Sequence, residues 1–138
     1  MAIHEYGDRK NPHILLIHGM WMCHEMMLPY VEKMRGEYHI IAPDLTGHGS
    51  DMGSFEGAEQ DAVQIGKWLA DHDIKSLELM FSASMGCVVA MYSAAYIDSD
   101  VMKKLSDSMS RTDRKALVCM VHTCNSFKYE QSMQPGRV

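Results

Sequence analysis

The sequence predicts an α/β fold: a mainly parallel sheet with helices flanking it. Three observations carry this expectation. Short apolar runs rich in β-branched residues alternate with longer segments whose apolar residues recur at helical spacing. The runs give way to stretches rich in Gly, Pro, Asp or Ser, which punctuate elements. The repeated order strand, helix, strand implies parallel strands joined by right-handed crossovers.

The first strand is His13-Ile14-Leu15-Leu16-Ile17, which follows Pro12, ends at His18-Gly19 and is apolar enough to be buried on both faces. A helix is expected from about His24 to Met34, with Met27, Val31 and Met34 on one face and Gly36 placed to end it. Tyr38-His39-Ile40-Ile41-Ala42 reads as the second strand, stopped by Pro43-Asp44. The segment Thr46 to Ser54 is a loop by composition. A helix from about Gly57 to His72 shares Ala58, Ala62, Ile65 and Leu69 on one face, bordered by Trp68. The third strand is Ser76 to Phe81, followed by the tight turn Ser82-Ala83-Ser84-Met85-Gly86. Cys87 to Ile97 is apolar nearly all round, which predicts a central, covered helix. Beyond it, Val101, Leu105 and Met109 suggest a short helix. Residues 113–124 read either as a buried strand, through the apolar run Ala116 to Val121, or as a helix capped by Thr112; the helix is preferred.

Composition narrows the function. The net charge of -5 offers no basic stripe to neutralise phosphates, so no nucleic-acid partner is expected. No run approaches a membrane-spanning length, and the N-terminus lacks a basic region followed by an apolar stretch; a cytoplasmic protein is the expectation. Cys23, Cys87, Cys119 and Cys124 form no CxxC pair and read as reduced core residues. His122-Thr123-Cys124 matches no zinc spacing, so neither a metal nor a cofactor is expected. His18-Gly19-Met20-Trp21 after the first strand is not a glycine-rich phosphate loop, which argues against a nucleotide-binding domain.

Three segments carry the chemistry. Ser82-Ala83-Ser84-Met85-Gly86 sets a serine between a strand and a helix, with small residues two before and two after it. His18-Gly19-Met20-Trp21 follows the first strand, and Ala42-Pro43-Asp44-Leu45-Thr46-Gly47-His48-Gly49-Ser50-Asp51 follows the second. In an open parallel sheet all three lie beyond the carboxyl ends of the strands, where reactive groups gather. In this order and spacing they resemble the nucleophile elbow, the H-G-x oxyanion loop and the P-D-x-x-G-x-G-x-S loop of the α/β-hydrolase family. Ser82 stands where the usual elbow, G-x-S-x-G, has glycine. The resemblance covers Met1 to about Ile97 and implies an α/β-hydrolase core over residues 1–97.

The resemblance also implies roles. Ser84 would attack a substrate carbonyl and form an acyl-enzyme. The backbone N–H groups of Met20 and Met85 would hold the developing oxyanion, each such donor contributing about 3–4 kcal/mol. His18, Gly19 and Gly86 would shape the surrounding loops, as would Asp44 and His48. A serine hydrolase of esterase or lipase type, acting on a small-molecule acyl substrate, is the implied function; a binding module that keeps the fold without catalysis is the alternative. The family orders its triad Ser, then Asp or Glu, then His. After Ser84 the candidate base is His122, and the acids are Asp98, Asp100, Asp107, Asp113 and Glu130. Residues 98–138 look like part of a helical cap, with the sheet truncated after the nucleophile helix. The strand that precedes Ser84 would then present an open edge, which a second copy or an exchanged strand could cover.

Overall fold

The computed structural model describes residues 1–97. The expected cap segment 98–138 and the candidate base His122 lie outside the described residues. The order of elements is β1 (Ala2–Tyr6), β2 (His13–Ile17), a 3-10 turn (His24–Met27), α1 (Leu28–Met34), β3 (His39–Asp44), α2 (Ala58–Asp71), β4 (Leu79–Ser82) and α3 (Met85–Ile97). The sheet runs β1-β3-β2-β4, with β3, β2 and β4 parallel and β1 antiparallel on the outer side of β3. The sheet is therefore mainly parallel, flanked by helices, as expected.

The strand alternation sorts the core into two layers. Leu15, Ile17, Ile41 and Leu45 pack with Ala62, Ile65 and Leu69 of α2 and Val89 of α3. Ile14, Leu16, Ile40 and Ala42 face the other way, against Met27 and Val31. Successive side chains of one strand thus serve opposite faces of a sheet covered on both.

Several expectations need correcting. β1 was not anticipated: Ala-Ile-His-Glu-Tyr has no apolar run, because an edge strand is half-buried along its whole length. The helix expected from His24 is split, with a 3-10 turn before α1 and Pro29 in the first α-helical turn, where its missing N–H costs little. β3 passes through Pro43 to Asp44, beyond its last pairing with β2 at Leu15↔Ile41, and Pro43 sits opposite Ile3 of β1. β4 is shorter than expected, starting at Leu79. α3 is not covered all round: Val88 and Tyr92 are exposed, because α2 packs one flank and nothing among the described residues packs the other. β4 has one strand neighbour among the described residues, and Leu79 and Phe81 are exposed along it.

Candidate active site

The site is built where β2, β3 and β4 end. β4 stops at Ser82 and α3 starts at Met85, so the chain reverses through Ala83 and Ser84 alone. Ser84 adopts φ +49°, a left-handed conformation that an L-residue with a Cβ adopts at a cost of roughly 1–2 kcal/mol. Its side chain is exposed. The bend is fastened by Ala83 N–H to the Ile17 carbonyl at 3.1 Å, and by Gly86 and Cys87 N–H to the Ala83 and Ser84 carbonyls, each at 2.9 Å. Among the described residues, the Ser84 hydroxyl and the N–H groups of Met20 and Met85 make no hydrogen bond.

Two glycines let the backbones meet here. A Cβ on Gly86 would stand 2.4 Å from the His18 carbonyl oxygen and 2.9 Å from that of Ile17. A Cβ on Gly19 would stand 3.2 Å from the Cβ of Ser84 and 3.2 Å from the Ala83 carbonyl. The loop after β2 therefore lies directly on the serine bend. Beyond Gly19 that loop closes by Met22 N–H to the Gly19 carbonyl, with Trp21 left-handed at φ +62°.

His18 is fully buried, and both of its ring nitrogens are committed. Nε2 accepts from Leu45 N–H at 3.0 Å, so it carries no proton; Nδ1 donates to the Gly19 carbonyl at 2.7 Å. Burial, helped by nearby His48 and His24, lowers its pKa and outweighs the bond to Gly19. A neutral imidazole bracing two loops is the result.

Asp44 organises the third loop. Its buried carboxylate accepts from His24 N–H at 2.7 Å and Nδ1 at 2.9 Å, from Ser50 N–H at 2.8 Å and Oγ at 2.7 Å, and from His4 Nε2 at 3.2 Å. Burial opposes ionisation, yet the bonds from His24 and Ser50 prevail and hold the carboxyl well below the usual range. Gly49, at φ +57°, passes so close that a Cβ there would stand 2.4 Å from the Asp44 carboxylate. Thr46 is tied to buried Asp61 of α2 through its N–H and hydroxyl. His48 donates Nδ1–H to the Thr46 carbonyl at 3.0 Å. Asp44 and His48 are thus occupied within the loop.

The ring nitrogens of His4 and His24 and the Asp44 carboxylate lie within 4.8 Å of one another, near enough to suggest a metal. The two rings are stacked, however, with centroids 3.4 Å apart and planes 13° from parallel. One ion cannot lie in the planes of two stacked rings, and each imidazole instead donates to its own carboxylate oxygen. Sequence reading missed this pair, because His4 belongs to the unanticipated β1.

The described residues contain no helix long and apolar enough to cross a membrane. Fold and site together define the class: an α/β scaffold that presents a serine hydroxyl at a strained bend beyond the carboxyl ends of a parallel sheet. A model of the alpha/beta hydrolase family matches residues 14–124, and the chain belongs to that family. A 45-residue stretch is 44% identical to an uncharacterized hydrolase of Saccharomyces cerevisiae, covering 33% of this chain and 16% of that protein. Among solved structures, an alpha/beta hydrolase family protein from Desulfitobacterium hafniense is similar over 67% of this chain and 38% of its own, at 23% identity and a TM-score of 0.64. A membrane phospholipase A, described as a bacterial virulence factor, is 29% identical over 67% of this chain and 31% of its own, with a TM-score of 0.59. A thermophilic esterase from Thermogutta terrifontis is 24% identical over 67% of this chain and 34% of its own, with a TM-score of 0.60. The chain thus spans well under half the length of each of these proteins.

Proposed function

We propose that the protein is a serine hydrolase that opens a carboxylic ester or related acyl bond through a Ser84 acyl-enzyme. One observation carries the reading: an exposed serine at φ +49°, with the Gly19 loop packed against its Cβ. The hydroxyl oxygen would attack the substrate carbonyl as its proton passes to a base, leaving a tetrahedral oxyanion; collapse expels the alcohol and leaves the acyl group on Ser84. Met85 N–H begins α3, where the helix N-terminus favours negative charge, and Met20 N–H follows Gly19 at the same bend; both have their donors unspent for the oxyanion. Likeness to a phospholipase A and to an esterase favours an ester over other bonds. A fluorophosphonate probe tests the reading directly. It labels Ser84 in the folded protein and fails to label Ser84→Ala; a folded, unlabelled wild type would overturn it.

A second reading, a binding module that keeps the fold without turnover, is favoured by one observation. Among the described residues no imidazole bonds to the Ser84 hydroxyl, and His18, His24 and His48 are engaged elsewhere. Hydrolysis of p-nitrophenyl acetate that disappears in Ser84→Ala eliminates this alternative.

A further inference from the structure

At the opposite end of the sheet, where the parallel strands begin, a chain of side chains crosses three strands. Arg9 donates to Glu5 of β1, and the other Glu5 oxygen lies 3.0 Å from His39 Nε2 of β3. His39 Nδ1 in turn lies 2.9 Å from His13 Nδ1 of β2. The His39 side chain is 1% exposed. Glu5, Arg9, His13 and His39 share a cavity of about 190 Å³ with His72, Asp73 and Ile74 from the end of α2. These are the charged and titratable groups that face His39: Glu5 and Arg9 from β1 and its following loop, His13 from β2, and His72 and Asp73 from beyond α2.

The two Nδ1 atoms can share one proton between them. A carboxylate can only accept, so His39 Nε2 carries a hydrogen and donates it to Glu5. His39 Nδ1 then accepts, and His13 Nδ1–H donates. A first added proton has room on His13 Nε2 without disturbing the bond between the rings. A second would have to sit on His39 Nδ1, opposing two N–H groups across 2.9 Å and two cations across one contact.

We propose that His13 and His39 form an acid-sensitive lock at the amino end of the sheet. While the rings stay in contact only one of the two facing nitrogens can carry a hydrogen, whereas in the unfolded chain both can, so acidification works against the contact and drives the His13 ring off His39. Glu5 keeps its hold on His39 through this step, so the contact that gives way is the one to the His13 side chain. Burial first, with His13 and Arg9 beside it, lowers the His39 pKa against the pull of Glu5, in keeping with a ring held neutral. For such a group the unfolded chain binds more protons below about pH 6.5. Its contribution to stability is whole above that pH and declines as pH falls toward the folded value.

The test is urea unfolding of the full chain from pH 8 to pH 5, on wild type, His13→Asn and His4→Gln. An Asn amide donates to neutral His39 or accepts from the cation after a flip, and it cannot itself become charged. The wild-type unfolding constant should rise below about pH 6.5 by up to tenfold per pH unit for each extra proton bound by the unfolded chain, with buried His18 contributing beside His39. His13→Asn should rise less steeply than wild type, while burial of His39 and His18 keeps part of the slope; His4→Gln, which alters the separate pair on Asp44, should match the wild-type slope. A His13→Asn slope equal to wild type overturns the lock. Should that variant fail to fold, ¹⁵N NMR of the wild-type imidazoles decides. The lock requires an Nδ1–H tautomer for His13 and an Nε2–H tautomer for His39 at pH 7.5. Two rings that both become cationic near pH 6.5 in the folded protein refute it.

Discussion

Gly86 lies under the carbonyl of His18 so closely that a methyl group on it would stand 2.4 Å from that oxygen. The neighbour is backbone just past the end of β2, whose last four residues are buried, and cannot swing aside. Gly86→Ala should therefore lower stability by about 2–3 kcal/mol and reduce probe labelling of Ser84, because the bend moves with the helix. Gly36→Ala is the control: a Cβ there meets nothing within 4 Å, and equilibrium unfolding should show it unchanged or slightly stabilised.

The left-handed backbone of Ser84 makes a sharper forecast. Ser84→Gly should be more stable than Ser84→Ala by about 1 kcal/mol, since glycine alone relieves the strain, while neither variant reacts with the probe. Equal denaturation midpoints for the two would mean that the bend stores no strain.

Asp44→Ala should cost about 2–3 kcal/mol, because it leaves several part-buried donors of His24 and Ser50 without their charged acceptor. The pH dependence has a definite sign. A carboxyl held below its ordinary pKa stabilises the fold above about pH 4, and this contribution drains away as pH falls through the folded value. Denaturation midpoints between pH 3 and pH 5 should fall more gently for Asp44→Ala than for wild type. That window lies below the one assigned to the histidine lock, so the two effects separate.

The edge of β4 yields a fourth prediction. Leu79 is 47% exposed beside an edge with no strand partner among the described residues. Wild type should show concentration-dependent self-association in sedimentation, and Leu79→Lys should sediment as a monomer over the same range. A wild type that stays monomeric throughout would remove the case for a second copy at this edge.

The parts of the site that were legible in the sequence are those where chemistry restricts residue type at short range. Gly86 had to be glycine because a Cβ there would collide with backbone, Gly19 sits where a Cβ would be tight, and Ser84 had to sit between a strand and a helix. The apolar runs of β2 and β3 were legible because both strands are buried on both faces. β1 was not, since its five residues are all half-buried and spell no period. With β1 hidden, the partners of His4 and Glu5 were hidden too. The contact between His13 and His39 was equally silent: it joins residues 26 apart and exists because the β2–β3 register sets those two opposite each other. The Pro43 stop misled, because proline interrupts a strand only where its amide is needed, and β2 has left the ladder by then.

The chain has two tryptophans, and the fold sends them to opposite ends of the sheet. Trp21 is 70% exposed, two residues past the glycine that rests on the serine bend. Trp68 is half-buried, its indole stacked on His72 at 3.9 Å, beside the cavity shared by His13 and His39. The molecule therefore carries its own pair of optical gauges, a water-facing indole at the reactive end and an imidazole-shielded one at the other. Replacing either by phenylalanine leaves a single tryptophan, whose fluorescence, excited selectively over the six tyrosines, then reports on one end of the sheet alone.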